Sequence, residues 1–239
     1  VGDRVVDTSW SWQHRRGLLY GYLDQYGNPV PAGVTKPVTW IVTAHSHFSV
    51  ADSAPHVTLL AEELIGLHPF DDSTNRGTLY GTWGSNHWGD SGSPNAAHGL
   101  RPFLNSLEKT AGYAYAGSGF YAAFAERFRN HVLVTTLPNA VWNTGAVYTT
   151  LDRVFVLSMT ELGLEAEHTF GAVLPHFDLP PEQHLAHRER LRAVPPGHTG
   201  LLYQWTRTAS SLSDYYTYAI DSDGYRSEEH TSELQSPNT

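Results

Sequence analysis

The sequence contains no cysteine. That absence excludes a disulfide framework, a zinc–thiolate site and a cysteine nucleophile. Lysine occurs only at Lys36 and Lys109, and the formal net charge is −9. A general phosphate-backbone binder needs basic clusters, so this composition argues against nucleic acid as a partner. Charged residues make up 16% of the chain, where a soluble domain usually carries about a quarter. No apolar run approaches the length of a membrane span. What is present is a 40% hydrophobic share and a 12% aromatic share, with 7 Trp and 13 Tyr. A chain of 239 residues with that content can build a sizeable core, as one large domain or two small ones. Many aromatics and few charges predict a sheet-rich domain with a polar but uncharged surface.

The chain begins at Val1, which reads as internal to a longer protein. Residues 226–236 resemble the conceptual translation of a sequencing-library adapter, so 226–239 are read as a non-native tail. One positive and three negative side chains lie in that tail (Arg226, Glu228, Glu229 and Glu233), and without them the charge moves from −9 to −7. The remainder, 1–225, is read as a single domain, incomplete at both ends.

Trp10 and Trp12 are two apart, the spacing of one strand face. Leu18–Leu23 reads as a second strand, and Asp24–Pro29 as a turn. Val38, Trp40, Val42 and Ala44 recur at period two, predicting a half-buried strand over Val38–Phe48. Val57–Leu60 is a short apolar strand leading into a turn or helix at Glu62–Leu67. Residues 71–99 are rich in Gly, Ser, Asn and Trp and form a long loop, a feature usually functional or mobile. Leu100, Phe103, Leu104 and Leu107 follow the i, i+3, i+4, i+7 helical pattern, and a second helix is predicted from Phe120 to Arg129. His131–Leu137 reads as a strand stopped by Pro138-Asn139, and Asp152–Ser158 as another. Ser158 and Glu161 form the S-x-x-E capping box of a short helix. A polar insert with a charged helix follows over 163–200. Leu201–Thr208 and Tyr215–Ile220 close the chain as strands, ahead of an Asp221–Gly224 turn. Helices placed centrally among more numerous strands predict α+β rather than βαβ alternation.

Several segments resemble a bacterial domain family, DUF6273. They are Trp40-Ile-Val42, His56-Val-Thr-Leu-Leu60, Leu100-Arg101-Pro-Phe-Leu-Asn105, Phe120-Tyr-x-x-Phe124, Thr149–Ser158, Trp205-Thr-Arg207-Thr208 and Asp223-Gly224. The resemblance implies a C-type-lectin-like fold with mixed or antiparallel sheets, two main helices and long loops. It also implies a closing strand that the adapter-like string replaces, leaving an unpaired edge. A bacterial or phage surface setting, extracellular or on the cell surface, follows from the same resemblance. Such folds host several unrelated functions, so the site must decide.

Candidate chemistry divides into sharp and plain readings. His45 and His47 share a strand face, with Asp52 or His56 as a third metal ligand; the plain reading is a solvent-facing strand. His184 and His187 lie i, i+3 but lack the H-E-x-x-H pattern, which favours a solvated helix face. Asp221-Ser-Asp223-Gly224 is too short for a calcium loop and fits a β-turn. Gly89-Asp-Ser91-Gly92 resembles the serine-protease tetrapeptide without the rest of that pattern. The strongest candidate is an aromatic, amide-rich surface of Tyr80, Trp83, Asn86, His87 and Trp88 with Tyr215, Tyr216 and Tyr218. These residue types build adaptable recognition surfaces, and equally they anchor loops as local core. Trp205, Arg207 and Asp152 are assigned structural roles. The sequence therefore predicts a non-enzymatic, lectin-like recognition module for a protein or glycan ligand, with no cofactor and no metal. Two alternatives stand: a hydrolase using Ser, His, Asp or a His-bound metal in the 45–99 loops, and a structural module of a larger surface protein.

Overall fold

The computed structural model describes residues 1–12, 36–50, 54–62, 70, 86–88, 100–105, 121, 124–180, 204–214, 216–221 and 224–230. These contain three antiparallel sheets of three strands each. The first is ordered β1 (Arg4–Trp12), β2 (Lys36–His45), β4 (Val57–Ala61). The second is β3 (Ser49–Val50), β5 (Thr135–Ala140), β6 (Val147–Asp152), and the third β7 (Gln204–Ala209), β8 (Tyr216–Ile220), β9 (Arg226–His230). The helices among the described residues are α1 (Leu100–Asn105) and α2 (Glu126–Arg129).

This overturns the expected α+β, C-type-lectin-like class with two main helices. The predicted second helix is interrupted because Ala125 adopts φ −57, ψ 143, an extended conformation that a helix cannot pass through. The four residues after it, Glu126–Arg129, form α2. In α1, Leu100 and Leu104 are buried one turn apart, so the periodicity marks a real but short element.

β2 is the central strand of its sheet and is buried on both faces. Val38 and Trp40 join one core cluster with Phe70, Trp88, Leu100, Phe124 and Trp205. Ile41 joins a second, with Met159, Leu162, Leu174, Phe177 and Tyr218. A register irregularity between Val42 and Ala44 turns Ala44 toward that second cluster, against the alternation read from sequence.

β5 also departs from expectation, because it runs through Pro138 instead of ending there. Val141 donates its amide to Ala146 (2.9 Å), which sets the phase of the β5–β6 ladder. Hydrogen-bonded pairs then alternate, and the Pro138–Thr149 pair falls at a non-bonded step. The missing proline N–H faces the β3 side, where pairing stops at Thr136. No ladder bond is lost, which is why this proline is tolerated.

The β-forming run Asp152–Ser158 contributes only its first residue to β6. Beyond it, the Arg153 and Val154 amides donate to Asn105 Oδ1 (2.7 and 3.1 Å) rather than to a neighbouring strand.

The capping box at Ser158 is complete. Glu161 Oε2 accepts from the Ser158 amide (2.9 Å), and Ser158 Oγ accepts from the Glu161 amide (3.2 Å). The turn lasts one helical revolution and closes with Leu164 N to Met159 O and Gly163 N to Thr160 O, both 2.9 Å. That pair of bonds is a Schellman motif with Gly163 at φ 70. Gly163→Ala is therefore expected to cost about 1–2 kcal/mol, read as a lowered urea midpoint with an unchanged slope.

Residues 226–230, expected as a tail, form β9 and pair with the whole of β8. β9 thereby covers one edge of β8. Arg226 stacks over the Tyr218 ring at 4.9 Å, and Ser210 Oγ donates to Glu228 (3.2 Å). The Asp221 turn is a plain β-turn-like closure: Asp221 Oδ1 accepts from the Tyr225 amide (2.8 Å), and Gly224 sits at φ 87.

Candidate functional site

Three buried polar clamps tie strands to the segments that lie outside the sheets. The first is centred on Asp152, at the end of β6 and 2% exposed. Its carboxylate accepts from Trp88 Nε1 (3.1 Å), Arg101 Nε (2.7 Å), Asn105 Nδ2 (3.3 Å) and Thr150 Oγ1 (2.7 Å). A carboxylate has about four lone-pair directions, so this acceptor is saturated. Arg101 and Asn105 lie on α1 four residues apart, hence on one helix face.

The second clamp is the Arg207–Glu161 ion pair, with both side chains fully buried. Arg207 meets the carboxylate two-pronged and also donates to the Val156 carbonyl (2.9 Å). The Phe155 and Phe170 rings flank its guanidinium at 5.7 and 5.8 Å. Thr208 Oγ1 accepts from the Met159 amide (2.9 Å), so β7 is tied to the capping turn twice.

The third clamp is Asn86, fully buried, whose Nδ2 donates toward the carbonyls of Ser210, Ser213 and Tyr216 (3.3, 2.7 and 2.8 Å). Its own amide donates to the Asp214 carbonyl (2.6 Å). One asparagine thus pins both arms of the β7–β8 turn to the segment 86–88.

Beside this clamp lies a partly exposed polar rim. His87 and Tyr148 are half-buried with ring centroids 6.3 Å apart. Tyr216 is half-buried at the start of β8, and Leu212 in the pinned turn is 72% exposed. Tyr148 carried no signal of its own in the sequence. It shares the inward face of β6 with Thr150 and Asp152, and that period-two relation to a buried acid was the available clue.

The predicted recognition residues therefore divide. His87 and Tyr216 stand on the rim. Asn86 and Trp88 are buried clamp members, and Tyr218 is fully buried with its hydroxyl donating to Glu167. Trp88 takes the packing role that was its alternative, and Asn86 and Tyr218 are likewise buried. Tyr80, Trp83 and Tyr215 lie outside the described residues, as do Asp52, Ser91, His184 and His187. Of the metal candidates, His45 is exposed, His47 packs edge-on to Phe48 at 4.8 Å, and His56 donates from Nδ1 to the Ala54 carbonyl (2.8 Å). Among the described residues no three His, Asp or Glu side chains gather where a metal ion could sit. No helix among them is long and apolar enough to cross a membrane. Trp205 is buried against Phe70 (5.8 Å).

These features define an antiparallel-β framework domain whose strongest polar groups are bonded to one another. A family model described as a domain of unknown function, DUF6273, matches residues 79–234, and the chain belongs to that family. The match spans the segments carrying all three clamps, while the resembling segments at Trp40 and His56 precede it. Comparison with curated proteins and with solved structures gives no match.

Proposed function

We propose that this domain is a non-enzymatic recognition module that takes a protein or glycan ligand on the rim formed by His87, Tyr148, Tyr216 and the 211–214 turn. The surface setting is the bacterial or phage one that the family resemblance implies. The observation that carries the reading is the Asn86 clamp. It fixes the rim segment and the β7–β8 turn to each other, so ligand-facing groups are held before binding. Supporting it, the described groups best suited to acid, base or charge chemistry, Asp152, Glu161 and Arg207, are already paired inside the framework. Tyrosine, histidine and an exposed leucine are the mixture of rigid apolar area and hydrogen-bonding tips that recognition surfaces use.

The test is a binding screen of the full chain against a glycan array and a displayed peptide library. Wild type should select ligands, and His87→Ala with Tyr148→Ala should lose them while keeping the wild-type melting temperature. Hydrolysis of ester or peptide probes, abolished by Ser91→Ala, would support the hydrolase alternative instead. Asn86→Ala should act differently from the rim variants. It removes the donor shared by the Ser210, Ser213 and Tyr216 carbonyls and is expected to lower stability by about 1–3 kcal/mol, measured by urea unfolding, and to weaken binding together with it.

A further inference from the structure

β6 is an edge strand of its sheet among the described residues, and its free side is unusual for this chain. The ladder phase set by the Val141–Ala146 bond turns the main-chain groups of Tyr148, Thr150 and Asp152 toward β5. Those of Val147, Thr149 and Leu151 consequently face outward. Arg101 Nη2, which lies outside the sheet, reaches the Leu151 carbonyl at 3.4 Å, in agreement with that phase. The side chains of the same three residues are exposed, Val147 at 60% and Leu151 at 65%.

Edge strands are normally guarded by charge, proline or a bulge. β9 carries Arg226, Glu228 and Glu229, and β1 carries Arg4, Asp7 and a register irregularity. β4 is uncharged, but Leu59 and Leu60 pack into the two core clusters. From Val147 to Leu151, β6 has none of these devices; its one charged residue, Asp152, closes the strand and is paired with Arg101. Its pairing is regular, and no Asp, Glu, Lys or Arg occurs from Asn130 to Leu151. In a chain of net charge −9, two copies carry like net charge, and this hairpin adds no Asp, Glu, Lys or Arg of its own to an approach between them.

We infer that the open edge of β6 pairs antiparallel with β6 of a second copy, about a two-fold axis at Thr149. In that register Thr149 faces its own copy, and Val147 of each chain faces Leu151 of the other. All three are hydrogen-bonding positions, so about six main-chain bonds form. Each Val–Leu pair covers apolar surface that is otherwise exposed. The Leu151 carbonyl keeps its Arg101 contact, since it has a second lone pair. The two three-stranded sheets become one continuous six-stranded sheet.

Sedimentation velocity of the full chain over a dilution series tests this. Wild type should shift with concentration from the 26.5 kDa chain mass to twice that value. Thr149→Lys sets two like charges together on the axis and should raise the dimer dissociation constant at least about tenfold, with unchanged circular dichroism and melting. Thr149→Glu should do the same, and mixing the Lys and Glu variants should restore the dimer. Thr149→Val, a good strand former, should leave it intact and controls for loss of fold. A wild-type chain that stays monomeric overturns the inference, including the case where a different protein covers the edge. So does a dimer that survives both charged variants.

Discussion

Arg207→Met is expected to lower the free energy of unfolding by about 3–5 kcal/mol, because it leaves a buried carboxylate without its counter-charge. Glu161 is fully buried, and after the substitution it keeps only the Ser158 amide as a described partner. The Val156 carbonyl loses its donor as well. Methionine fills much of the volume between Phe155 and Phe170, so the loss reads the charge rather than a cavity. Arg207→Lys should also be costly, since an ammonium cannot meet both carboxylate oxygens and the carbonyl in one plane. The paired variant Arg207→Met with Glu161→Leu should recover part of the loss, because neither charge then needs desolvating. It should not recover all of it: the Ser158 amide remains without its capping partner, at about 1–3 kcal/mol. Urea unfolding of wild type, Arg207→Met, Glu161→Leu and the paired variant closes this cycle. A single-variant loss below about 1 kcal/mol would place the pair in solvent and contradict its burial.

Asp152→Ala is expected to be of similar size, about 3 kcal/mol or more. It removes the shared acceptor of Trp88, Arg101, Asn105 and Thr150 in one step. Arg101 keeps some exposure (22%) and can turn toward water, whereas the Trp88 indole is buried and cannot. Asp152→Asn keeps the shape but points an amide NH2 at one set of donors, so it should cost nearly as much. Arg101→Ala takes the counter-charge from a buried carboxylate that keeps three neutral donors, so it should be costly, though less so than Asp152→Ala. The order of the three unfolding midpoints checks the assignment. Equal losses for Arg101→Ala and Asp152→Ala would mean that the node acts only through its ion pair.

How much of this could be read from residues alone follows from the range of the interactions. The capping box was legible because Ser158 and Glu161 lie three residues apart and state their roles locally. Strands β2, β4, β7 and β8 were legible for the same reason, as period-two or apolar runs. The clamps were not. Glu161 and Arg207 are 46 positions apart, and Trp88 and Asp152 are 64 apart. Nothing in either neighbourhood announces the other. Three of the segments carrying the family resemblance turn out to hold the Asp152 and Arg207 clamps. Leu100–Asn105 grips Thr149–Val154, and the end of Thr149–Ser158 grips Trp205–Thr208. A resemblance built on such residues speaks of the framework, and says little about the ligand.

The helical reading failed where sequence periodicity meets one extended residue, Ala125. The strand boundary at Pro138 failed because proline disrupts a ladder only where its nitrogen faces a partner strand, and a one-dimensional reading cannot see the phase. Asn86, Trp88 and Tyr218 were misplaced toward the surface by composition, since a tryptophan or asparagine in a loop looks alike whether it anchors or displays. Burial separates the two cases, and burial is a property of the fold.

The central claim is a division of labour: buried clamps hold the framework, and the His87–Tyr148–Tyr216 rim is proposed to serve recognition. A saturation scan of the full chain, displayed and sorted for resistance to proteolysis, tests it most directly. The account predicts that nearly every substitution at Asn86, Asp152, Glu161 and Arg207 is lost from the resistant pool, while His87, Tyr148, Leu212 and Tyr216 tolerate most replacements. A scan in which the rim positions are as intolerant as the clamps, or the clamps as tolerant as the rim, would contradict it.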